Sequence, residues 1–74
     1  MDHTARTEAL ETAKLHDIVA DRYEEKADAL IKAYGEGVRP SWVSTDISIA
    51  MAYAKQYRIT AQVLREAVEK DQDQ

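Results

Sequence analysis

Four carboxylates, Asp17, Asp21, Glu24 and Asp28, follow one another at steps of four, three and four residues, the spacing that lines side chains along one face of an α-helix. A row of anions of this kind can dock a basic protein surface, including one that otherwise binds nucleic acid. It also matches an ordinary solvated helix face, partly neutralised by Lys14, Arg22 and Lys26. Carboxylates alone do not make a catalyst, and the groups that would complete one are absent from the pattern. Without cysteine there is no thiol nucleophile and no Cys-based zinc pattern. The two histidines, His3 and His16, lie in neither a His-Glu-x-x-His nor a Glu-x-x-His spacing, so zinc and di-iron sites are not expected. Ser41, Ser44 and Ser48 have no histidine near them in sequence, and no Gly-rich phosphate loop is present. A non-enzymatic protein with no cofactor is therefore expected, acting by binding.

Candidate contact residues follow from the same reasoning. Phe is missing and Tyr takes its place; Tyr combines a large contact area with a polar tip, which suits interface anchors and the edge of a thin core alike. Tyr23, Tyr34, Tyr53 and Tyr57 fall on the apolar positions described below or close to them. Trp42, near Pro40, suits either a binding patch or a lid over the open end of a helical pair. The protein-binding candidates are thus Asp17, Asp21, Glu24, Asp28, Tyr23 and Trp42. His16 sits on an apolar seam, as a pH-sensitive polar insert or as a satisfied boundary histidine.

A second constellation is basic. Lys55, Arg58, Gln62 and Arg65 lie in the segment from Ala54 to Ala67, which resembles the helix-turn-helix DNA-binding pattern. Ala54 stands where a small residue lets two helices cross closely, and Tyr57, Ile59, Leu64 and Ala67 match the apolar anchors. Thr60 stands where a hydroxyl caps the second helix. The resemblance implies a recognition face of Ala61, Gln62, Arg65 and Glu66, with Lys55 and Arg58 near phosphates. Arg58 departs from the pattern by replacing the glycine most often found in the turn. The stretch from Val43 to Gln72 is also similar in texture to the theta subunit of bacterial DNA polymerase III, a small helical accessory protein; that resemblance implies no site residues.

These side chains need elements to hold them. The chain has 74 residues, enough for one domain and too few for an extensive core of its own. Fourteen acidic residues against ten basic ones give a net charge of −4, the wrong sign for an unspecialised nucleic-acid coat and suited to a partner with a basic surface. Twelve residues are Ala, which buries little area by itself and permits helix backbones to approach, so the core is expected to be shared with a second copy or another protein, a homodimer being the leading expectation. The first residues carry no signal-peptide apolar core, and no later run approaches membrane-spanning length. A cytoplasmic protein is expected.

Both glycines, the only proline and the only tryptophan fall between Gly35 and Trp42, so the chain must leave a helix there. Residues 4–34 are rich in Ala, Glu, Lys, Leu and Arg and predict one long helix, capped by Asp2 or Thr4 and closed by Gly35. Ala9, Ala13, His16, Ala20, Tyr23, Ala27, Leu30 and Tyr34 form a heptad-like seam along it. A loop is expected at 35–41, with Pro40 opening the next helix and Ser41, Ser44 or Thr45 as alternative caps. In the arm at 42–70 a matching seam runs through Val43, Ile47, Ala50, Ala54, Tyr57, Ala61, Leu64 and Val68. Ile49, Ala52, Ile59 and Val63 lie off that seam. The arm is therefore either sandwiched between two partners or bent near Arg58 and Ile59 into two short helices. The fold expected is all-α, a long N-terminal helix antiparallel to this second arm, with a frayed tail at 71–74.

Overall fold

The computed structural model describes residues 1–72, which form two helices, α1 (His3–Tyr34) and α2 (Ser41–Gln72). They lie antiparallel as a helical hairpin, each 32 residues long. At about 1.5 Å per residue a helix of that length spans about 48 Å, consistent with molecular extents of 54 × 15 × 14 Å.

The boundaries follow local chemistry. Asp2 holds an extended backbone, and its carboxylate accepts a 2.7 Å hydrogen bond from the Ala5 N–H, satisfying one of the free donors at the helix start. The helix stops at Gly35, which has φ +70° and ψ −170°, a region essentially reserved for glycine. Its N–H donates to the Ile31 carbonyl at 2.7 Å. Arg39 braces the turn: its guanidinium donates to the Gly35 carbonyl at 2.7 Å and to the Ser44 hydroxyl at 3.0 Å. Of the cap candidates, Ser44 is thus occupied by Arg39. The Thr45 hydroxyl donates to the Ser41 carbonyl instead of capping, and the Pro40 carbonyl takes the first bond of α2, from the Val43 N–H at 3.0 Å.

The two seams meet. Ala13, Ala20 and Ala27 of α1 are buried against Val43, Ile47, Ala50, Ala54, Ala61 and Val68 of α2. Tyr23, Leu30 and Ile31 flank the cluster. Alanine on both helices brings them close without filling much volume, and among the described residues Val43 is the only large side chain that is fully buried. The radius of gyration is 16.6 Å, where a compact domain of this length has about 11 Å.

One of the two alternatives for the second arm is corrected. Helix α2 runs without interruption through Arg58 and Ile59, so there are not two short helices. Nothing between Ser41 and Gln72 is Gly or Pro, the usual agents of a sharp break. Ala54, Tyr57, Ala61 and Leu64 can all face α1 only if the helix continues. The off-seam residues are the consequence: Ile49, Ile59 and Val63 stay 48%, 45% and 57% exposed. The tail is corrected in part, since α2 extends through Gln72 and Asp71 is held by an ion pair; Asp73 and Gln74 lie outside the described residues. Among the described residues no helix is long and apolar enough to cross a membrane.

Candidate interaction surfaces

The acidic row of α1 is met by arginines of α2. The Arg58 guanidinium donates to Asp21 at 2.6 Å and to Glu24 at 2.8 Å, with Asp17 3.8 Å away. Arg65, two turns further along α2, donates to Asp17. Hydrogen bonds to Asp21 first and Glu24 second raise the Arg58 pKa, outweighing the opposing effect of desolvation. Asp28 is exposed and takes part in no ion pair among the described residues. The fold thus joins members of the two candidate sets: three proposed protein-docking carboxylates hold Arg58, expected near phosphates, and Arg65, expected on the recognition face. A sequence signal for this existed. Asp17 and Arg58 stand equally far from the middle of the loop, so closing the hairpin brings them level.

The segment resembling a helix-turn-helix lies wholly inside α2, without a turn. Ala61, placed on the recognition face by that resemblance, is fully buried against α1. Thr60 caps nothing; its hydroxyl donates to the Gln56 carbonyl at 3.1 Å, as a mid-helix threonine does. Gln62 donates to Glu66 at 3.1 Å, and Lys55 is exposed.

Aromatic rings mark one edge of the helix pair. Tyr23 stacks on Tyr53 at 5.2 Å and on Tyr57 at 6.0 Å, and His16 lies 5.2 Å from Tyr57. The His16 Nδ1 donates to the Thr12 carbonyl at 2.9 Å, which fixes the tautomer and makes His16 a satisfied boundary residue. At the loop end Trp42 meets Tyr34 edge-on at 5.6 Å, and both remain partly exposed. At the other end the Met1 amine donates to Asp71 at 2.8 Å, with Arg6 3.7 Å from the same carboxylate. The hydrogen bond from the amine holds the Asp71 pKa below the usual carboxylate range. The Nε of Arg6 is enclosed without a partner.

What remains unsatisfied is apolar. An open groove of about 690 Å³ runs between the helices, floored by Ala27, Ile31, Met51, Ala54, Ile59 and Val63, with Glu24 and Asp28 on one rim and Lys55, Arg58 and Gln62 on the other. A second depression, of about 350 Å³, is formed by Ile49, Ala52, Tyr53 and Gln56 of α2 alone. Four of the α2 residues that line them, Ile49, Ala52, Ile59 and Val63, are exposed and form an apolar band away from the α1 contact. Its residues were visible in the sequence as the off-seam set, yet their type and spacing suit a bend as well as a binding face. No group of three or more metal-ligating side chains is found among the described residues.

These features define a two-helix, all-α hairpin with one uncovered helix face. No protein-family model matches the chain, and neither curated proteins nor solved structures give a significant match.

Proposed function

We propose that the chain is a small cytoplasmic accessory protein that works by binding protein through its outer helix faces, as a dimer and without catalysis. The observation that carries this reading is the second apolar face of α2. A straight helix that is apolar on two sides and packed on one is half of an interface. The groove beside it has an acidic rim on α1 and a basic one on α2, which suits an amphipathic helix with basic residues toward Asp28. Trp42 and the exposed edge of the Tyr23 stack extend the contact area. The paired state of Asp17, Asp21 and Glu24 moves the centre of the proposed site from the acidic row to the apolar band.

The test is affinity capture from the native host with the wild type and with an Ile59→Glu, Val63→Glu double variant. Proteins retained by the wild type and lost by the variant are expected; identical captures would remove the reading. The alternative, a helix-turn-helix regulator, is supported only by the residue types of 54–67, while the continuity of α2 and the ion pairs of Arg58 and Arg65 weigh against it. No salt-dependent binding to duplex DNA is expected even at low ionic strength; binding that is lost on changing Gln62 and Arg65 would restore that alternative.

A further inference from the structure

We infer that the uncovered face of α2 is filled by the same face of a second copy of this chain, the two α2 helices running antiparallel across a twofold axis near Gln56. This rests on the protein-binding reading above and names the occupant.

Area argues first. The chain exposes 5494 Å², whereas a compact monomer of 8.4 kDa exposes about 4600 Å². The excess of about 900 Å² per chain matches the roughly 800 Å² that each partner contributes to a standard stable interface. One further contact of that kind brings the elongated hairpin back to ordinary proportions.

Symmetry argues next. A twofold interface must be complementary to itself, so that residue i meets j and j meets i. The outer band of α2 is nearly symmetric about Gln56, with Ile49 and Val63 seven residues to either side. Antiparallel pairing sets the small Ala52 of one copy between the larger Ile59 and Val63 of the other, alternating small against large, and it opposes the two helix dipoles. Parallel pairing would instead set Ala52 against Ala52 and Ile59 against Ile59, leaving a gap beside a bulge. Gln56, the one polar residue in the centre of the band, meets its own symmetry mate, where an amide pair fixes register.

Charge permits the contact. Each copy carries −4, so two copies can meet only where that charge does not accumulate. Between Ile49 and Val63 the only charged residues are Lys55 and Arg58, and Arg58 is turned to α1 by Asp21 and Glu24. The carboxylate row lies on the other helix.

The cysteine-free sequence makes the test clean. Sedimentation equilibrium of the full chain at micromolar concentration should give twice 8.4 kDa. Under mild oxidation Gln56→Cys should form a disulfide-linked dimer. Ile49→Cys should not link to itself, but should link to Val63→Cys when the two are mixed. All three substitutions are at exposed positions and leave the hairpin core untouched. A monomer at every concentration would overturn the inference and leave the protein-binding reading to the capture experiment. A dimer in which Ile49→Cys links to itself and not to Val63→Cys would overturn the antiparallel pairing. A dimer that survives Ile59→Glu with Val63→Glu would overturn the face.

Discussion

Gly35 holds its place through backbone conformation alone. A Cβ there would meet nothing within 4 Å, so the cost of a side chain is purely torsional. Gly35→Ala should lower stability by about 1–3 kcal/mol, whereas Gly37→Ala, at a residue without positive φ and with open space around it, should be neutral or slightly stabilising. Urea denaturation of the two variants separates these outcomes. Arg58 is fixed by its partners: Arg58→Ala leaves Asp17, Asp21 and Glu24 facing one another without their central cation. Its melting temperature should fall further than that of Arg22→Ala, which breaks one exposed pair with Glu25, and added salt should narrow the gap. Asp71 carries a pH signature. Because its folded pKa lies below the ordinary carboxylate value, its contribution is present above that value and is lost as pH falls through the lowered one. Asp71→Asn should therefore melt lower than wild type at neutral pH, and the difference should vanish in acid; a difference that persists there would contradict the end clasp.

For the helices, the sequence carried nearly everything that depends on local rules. The alternation of four and three along both arms named the buried positions, because the two alanine-rich seams are the faces that let the helix backbones approach most closely. The break at Gly35 and Pro40 was legible for the same reason, being written in residues that restrict the backbone. Two things were not legible. The off-seam set of Ile49, Ala52, Ile59 and Val63 reads identically for a bent helix and for a straight one with a second face, and only continuity through Ile59 distinguishes them. The pairing of Arg58 and Arg65 with the acidic row is not written in the spacing within either helix; it shows only once the two arms are folded about the loop, which brings Asp17 and Arg58 level. The alanine seam sets a limit on side-chain size: Ala20→Leu or Ala61→Leu should force the helices apart and cost about 1–3 kcal/mol. Ala33→Leu, at an exposed position, should cost little, as denaturant titration would show.

As a whole the molecule is a rod with a thin core, clasped at one end by Met1 and Asp71 and braced at the other by Arg39. Its buried side chains are mostly alanines, so area removed from water, the main favourable contribution to folding, is small for the number of residues ordered. In the proposed dimer a second chain on the outer face of α2 would supply further burial, and folding would then be linked to association. On the proposed reading this face is covered by protein in the folded state, in the first instance by another copy. Thermal melting of the wild-type chain from low micromolar to near-millimolar concentration tests it most directly. The melting temperature should rise steadily with concentration, and the rise should disappear in the Ile59→Glu, Val63→Glu variant; a wild-type melting temperature independent of concentration would mean that the face stays uncovered.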